Sequence, residues 1–143
     1  MPSMILSLWQ QHAALHYSFA AYAARRMKIG LAEVACLEQL QVNGPLTPGE
    51  IGARLHMPSG SITALIDRLE HKGMIERTPS RNDRRSYSVS LAAGAWKAAE
   101  LDLIPMAGAI DAIANELSPA ERQAVERFLE SLNAELAAHC GEK

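Results

Sequence analysis

Cysteine is scarce in this chain, with only Cys36 and Cys140, far apart in sequence and in no CxxC pair. So few thiols exclude a disulfide framework and a structural zinc site, and they make a reducing cytoplasm the default compartment. Aromatic residues are only 5% of the chain, and the 48% apolar content comes mainly from alanine, leucine and isoleucine. That balance favours helices over sheets and is too apolar for a disordered chain. No apolar run approaches the roughly 18–20 residues that cross a bilayer, so no membrane partner is expected. The N-terminus has no basic stretch leading into an apolar core and a small-residue cleavage site, so export is not expected. Also missing are a GxSxG elbow, a Gly-rich phosphate loop, an HExxH pair and a zinc-deaminase signature, and the five histidines form no cluster with carboxylates. The expectation is therefore a non-enzyme with no cofactor and no metal.

What is present is unevenly laid out. The net charge is −2. Residues 47–91 nevertheless hold seven Lys/Arg (Arg54, Arg68, Lys72, Arg77, Arg81, Arg84, Arg85) against five acids (Glu50, Asp67, Glu70, Glu76, Asp83). A basic middle in an acidic frame suits a polyanion partner for the middle only. The length of 143 residues fits one domain with a small extension, and there is no internal repeat or low-complexity segment.

Hydrophobic spacing orders the elements. Residues 4–27 carry Leu8, Leu15, Phe19 and Tyr22 at helical intervals and run into Arg25, Arg26 and Lys28 before Gly30. A second helix spans about Leu31–Val42 and is stopped by Asn43-Gly44-Pro45. Thr47-Pro48-Gly49-Glu50 is a capping box with proline in the first turn and opens a short third helix. After the turn at His56–Gly60, a fourth helix runs to about Lys72, with Ile62, Leu65, Ile66 and Leu69 on one stripe. Two strand-like runs follow, Met74–Thr78 and Ser86–Leu91, joined by the polar basic tip Pro79–Arg85. One helix from Ala92 to about Asn115 is expected to kink at Pro105, and a last helix begins at the capping box Ser118–Glu121. The predicted order is ααααββαα, a mainly α fold with a small two-stranded β-wing.

A short helix, a tight turn and a second helix with small polar residues on its exposed face make a helix-turn-helix, whose second helix enters the DNA major groove. Ser59, Ser61 and Thr63 can donate to phosphates or base edges, Ala64 can touch a thymine methyl, and Arg68 can reach guanine or phosphate. A plain solvated helix face has the same composition, and the hairpin after it separates the two readings. Arg81, Arg84 and Arg85 repel one another unless something neutralises them, and a narrow minor groove accepts an inserted arginine. Asp83 can orient a neighbouring arginine by a charge-assisted hydrogen bond.

Three stretches, Leu46–Leu55, Ser61–Arg77 and Asn82–Ser86, resemble the multiple-antibiotic-resistance regulator (MarR) family. The most specific marks are Asp67-Arg68-Leu69-Glu70, the Lys72-Gly73 and Glu76-Arg77 pairs, and the wing Asp83-Arg84-Arg85. The resemblance implies a winged helix-turn-helix regulator, commonly a repressor, that binds palindromic duplex DNA as a homodimer. It places Ser59, Ser61, Thr63 and Arg68 on the recognition helix, Arg85 on the arginine that enters the minor groove, and Asp83 on the acid that steadies it. Ala92 departs from the family's frequent threonine cap. Residues 31–91 would be the winged region, and 1–30 with 92–143 a helical dimerisation region intertwined with it.

The family also implies release by a small aromatic or phenolic anion. Candidate contacts are His12, His16, Tyr17, Trp96 and Met106, each of which suits core or interface packing equally well. Two other sensors are weighed. His12 and His16 stand i, i+4, as metal ligands often do, although packing or surface histidines share that spacing. The family's peroxide-sensing branch has a tyrosine-flanked cysteine near the start of the first helix, whereas Cys36 lies among Val34, Ala35 and Leu37, where a thiol is inert. A winged helix used for protein contact is the remaining alternative, distinguished from a nucleic-acid reader by its insensitivity to salt.

Overall fold

The structure is a computed structural model, and it describes residues 1–141; residues 142 and 143, the end of the stretch expected to join the dimerisation region, lie outside the described residues. The elements are α1 (Met4–Met27), α2 (Leu31–Asn43), α3 (Pro48–Leu55), α4 (Ser59–His71), β1 (Ile75–Pro79), β2 (Tyr87–Leu91), α5 (Ala93–Ala99), α6 (Leu103–Asn115) and α7 (Pro119–His139). They fall into two units, residues 1–99 and 100–143.

Local chemistry explains most boundaries in the first unit. The Ser3 hydroxyl accepts the Leu6 N–H at 3.1 Å to start α1, and Lys28 ends it in the left-handed conformation at φ 58°. The Thr47–Glu50 box forms as expected, the Thr47 hydroxyl accepting Glu50 N–H at 3.2 Å and the Glu50 carboxylate accepting Thr47 N–H at 2.7 Å. Burial then selects one face of each helix. Val34, Cys36, Leu37 and Leu40 of α2, Ile51 of α3, and Ile62, Leu65, Ile66 and Leu69 of α4 close over Val89 and Ile75 of the sheet. Each such side chain contributes roughly 1.5–3 kcal/mol relative to its exposed state. The last turns of α1 join this core through Ala23, Ala24 and Met27.

The wing is an antiparallel ladder running from Ile75↔Leu91 to Pro79↔Tyr87. A single bridge between Leu46 and Val89, with N···O distances of 3.0 and 2.7 Å, lays the α2–α3 connection beside β2. Nothing in the spacing of residues announced it.

The expected kinked helix over 92–115 is instead two helices, so the order is ααααββααα. Proline has no N–H and its ring clashes with the carbonyl four residues back, which for Pro105 belongs to Leu101. The chain breaks between Ala99 and Leu103, and Pro105 sits in the first turn of α6, where a missing N–H costs nothing. In the second unit, Ser118 and Glu121 cap α7 reciprocally at 3.3 and 2.8 Å.

One close approach ties the helix after the wing to the end of α4. Gly73 turns at φ 69°, its carbonyl accepts Gly94 N–H at 3.1 Å, and a Cβ on Gly94 would lie 2.4 Å from that oxygen. Gly94→Ala is therefore expected to lower the unfolding free energy by roughly 1–3 kcal/mol in urea denaturation. Gly60→Ala, where a Cβ meets nothing, should leave stability unchanged or slightly raised. Equal effects at the two sites would contradict this packing.

Candidate nucleic-acid interface

The exposed face of α4 carries Ser59, Ser61, Thr63, Ala64, Asp67, Arg68 and His71, opposite the buried stripe. Its N-terminus has no side-chain cap. Pro58 occupies the cap position and supplies no side-chain acceptor. The first N–H groups of α4 are left without the carboxylate or hydroxyl partners found at α1, α3 and α7. Uncapped helix N–H groups attract an anion such as phosphate. The Thr63 hydroxyl donates to the Ser59 carbonyl at 3.0 Å, so its oxygen remains as an acceptor toward solvent.

Two lines of side chains run along this face. On one, Asp67 and Glu70 meet Arg77 of β1: Arg77 pairs with the Asp67 carboxylate and its Nε lies 3.1 Å from Glu70 Oε2. The same guanidinium lies over the Tyr87 ring of β2 at 4.8 Å. This cluster fastens the base of the wing to α4. On the other, Ser61, Ala64 and Arg68 stand at i, i+3 and i+7, and Arg68 Nε donates to Glu33 Oε1 of α2 at 2.8 Å. Glu33 also accepts the Gly30 N–H at 3.2 Å. Burial opposes ionisation of Glu33, but the hydrogen bonds from Arg68 and Gly30 and the charge of Lys72 hold its carboxyl below the usual range.

At the wing tip, Arg81, Arg84 and Arg85 are all exposed, and no ion pair engages them among the described residues. Asp83 organises the turn through the backbone: its Oδ1 accepts the Arg85 N–H at 2.9 Å, and its carbonyl accepts the Ser86 N–H and hydroxyl, each at 3.2 Å. The expected acid–guanidinium contact is replaced by a side-chain-to-backbone turn, which sets where the chain at Arg85 points. Three cations are thus left facing solvent while those nearer the core are paired.

The residues suggested for a small ligand fall on three elements, α1, α5 and α6. The His12 and His16 rings stack on α1 with centroids 5.9 Å apart, and both are exposed, as is Tyr17. Trp96 is on α5 in the first unit and Met106 on α6 in the second. A cleft of about 340 Å³ lies between α3 and α4, lined by Pro48, Gly52, Ala53, Met57 and Thr63 among others, and it includes none of the five. Among the described residues, no group of three His, Cys, Asp or Glu side chains is placed to hold a metal ion. No helix among them is long and apolar enough to cross a membrane.

Glu33 was not singled out by the sequence, and Arg77 was marked only as part of the Glu76-Arg77 pair, without its ion-pair role. The spacing of a glycine at 30 and a glutamate three residues on was the available signal for Glu33, as a helix start.

This geometry, an α3–turn–α4 pair followed at once by a two-stranded wing, is a winged helix-turn-helix. The family model described as "MarR family" matches residues 29–87. The uncharacterized HTH-type transcriptional regulator YcgE of Bacillus subtilis is 37% identical over 67 residues, covering 47% of this chain and 44% of that protein. The matched stretch thus spans less than half of that relative's length. A crystal structure of a point mutant of MepR, from a multidrug-resistant S. aureus clinical isolate, superposes with TM-score 0.77 at 19% identity, over 95% of this chain and 99% of that one. Another S. aureus MepR mutant, bound to an oligodeoxyribonucleotide, superposes at TM-score 0.60 and 18% identity, over 94% and 99%. At such identities the likeness is one of fold. Residues 29–87 of this chain thus match the MarR-family model, on a fold that is a winged helix-turn-helix.

Cys36 is fully buried on α2, and burial, with the charge of Glu33 beside it, pushes its thiol up to about 11. Cys140 is exposed. In the native protein one thiol per chain should react at once with a disulfide reagent at neutral pH, and the second only after denaturation. Two fast thiols would contradict the placement of Cys36.

Proposed function

We propose that this chain is a transcriptional regulator, acting as a repressor, that binds palindromic duplex DNA as a homodimer through α4 and the wing. The observation that carries the reading is the pairing of an uncapped α4 N-terminus, flanked by exposed Ser59, Ser61 and Thr63, with the unpaired tip arginines Arg81, Arg84 and Arg85. The first suits phosphates and base edges at the major groove, and the second suits the negative potential of the minor groove. Ala64 contributes an apolar contact and Asp83 the shape of the tip.

The homodimer is supported by apolar surface that the chain leaves uncovered. Met4, Ile5, Leu8 and Leu15 are exposed on α1, and Ile110, Ile113, Phe128 and Leu129 on the helices of the second unit. Surfaces of this kind mark interaction sites. A MarR-family dimer accounts for them and supplies two recognition helices for a two-fold operator. Release by a small aromatic or phenolic anion belongs to the same proposal, with His12, His16, Tyr17 and Trp96 of the first unit as candidate contacts. A non-enzymatic regulator acting on cytoplasmic DNA is consistent with all of these features.

The test is binding of the purified protein to the duplex upstream of its own gene, wild type beside Arg85→Ala, across a salt series. Wild-type affinity should fall steeply with salt, and the variant should lose about tenfold or more. Salt-insensitive binding that Arg85→Ala leaves intact would overturn the reading and favour a protein-contact module.

A further inference from the structure

Glu33 is 5% exposed, and it lies on α2, outside the helix-turn-helix. Its oxygens accept from Gly30 N–H at 3.2 Å and Arg68 Nε at 2.8 Å, and Lys72 Nζ lies 3.8 Å away as an ion-pair partner. Lys72 in turn donates to the Lys28 carbonyl at 2.8 Å, at the residue that closes α1. One buried carboxylate therefore joins the end of α1, the start of α2 and the last turns of α4. An apolar residue of similar volume would pack without desolvating a charge. What the carboxylate adds is a fixed geometry for the cations it holds.

Arg68 is the cation that matters for reading. Its side chain is still 54% exposed while its partner's is 6% exposed. A guanidinium held at Nε keeps its planar Nη edge free as a two-pronged donor, the shape that matches a phosphate or the edge of guanine. It also stands in line with Ser61 and Ala64 on the exposed face of α4. An unrestrained arginine would lose rotamer freedom on contact, and the hydrogen bond to Glu33 restrains this one beforehand.

We propose that Glu33 is a positioning residue for DNA reading. It fixes the Arg68 guanidinium so that its Nη edge meets the duplex, and its single negative charge offsets part of the charge of Arg68 and Lys72, which lowers their sequence-blind attraction. The inference rests on the duplex-binding reading above. It adds that selectivity is set partly from α2, by a residue that does not itself touch DNA.

The test uses the full chain, a duplex enriched from a random-sequence pool by the wild-type protein, and a scrambled duplex of the same length and composition. Glu33→Gln keeps the volume and an oxygen for Gly30 N–H but removes the charge that anchors Arg68. It should weaken binding to the enriched duplex about tenfold and leave the scrambled duplex bound equally or more tightly. The loss should vanish in an Arg68→Ala background, because the two residues act as one unit. Arg68→Lys, which keeps a cation for Glu33 but lacks the fork, should show the same loss of discrimination even where Glu33→Gln folds poorly. Equal losses on both duplexes, or independent effects of Glu33→Gln and Arg68→Ala, would assign Glu33 a structural role only and overturn the inference. A wild-type protein that enriches no duplex would overturn the duplex-binding reading itself.

Discussion

Ile62, Leu65, Ile66 and Leu69 form one stripe of α4, and each is no more than 1% exposed. That burial constrains everything around it. α2 and α3 supply the cover on one side and the two-stranded sheet supplies it on another, so α4 is held with a single face free. The face left over is broad and mainly polar, and it stays exposed without giving up core packing. Close-packed interiors tolerate little slack. A rotation of α4 that changed its outward face would expose part of the stripe, so the direction of that face and stability are set by the same contacts.

Charge is arranged on the same frame. Near the core, cations are tied down: Arg68 and Lys72 to Glu33, and Arg77 to Asp67 and Glu70. The pairs sit on opposite edges of α4, one facing α2 and the other facing the wing, and they act as braces more than as sources of stability. Ion pairs with exposed partners, such as Arg77 with Asp67 and Glu70, contribute only about 0–1 kcal/mol each. Further out, Arg81, Arg84 and Arg85 are unbraced at a tip whose backbone is shaped by Asp83. Fixed cations beside the helix and free ones at the tip give a surface with one rigid and one adaptable part.

Much of this was legible in the sequence because it depends on neighbours. The capping boxes at Thr47 and Ser118 span three residues, the α4 stripe spans two turns, and the wing hairpin is a local alternation with polar residues at its tip. What escaped depends on distance or on direction. Glu33 and Arg68 are 35 positions apart, and no spacing rule joins them. The Leu46–Val89 bridge is a tertiary contact between a connection and a strand. The break before α6 was displaced from Pro105 because the clash falls on the carbonyl upstream. Asp83 was correctly placed at the wing, but which of its neighbours' donors it would engage, amide or guanidinium, is decided by the turn itself.

The most direct measurement of the account is a hydroxyl-radical footprint of the protein on a duplex it has enriched from a random pool. Entry of two α4 helices into successive major grooves predicts a two-fold symmetric footprint, with half-site centres roughly 34–36 Å apart. Wings in the flanking minor grooves predict further protection there, lost on replacing Arg85. A single asymmetric patch, or protection unaffected by Arg85, would contradict the claim that α4 and the wing together read DNA.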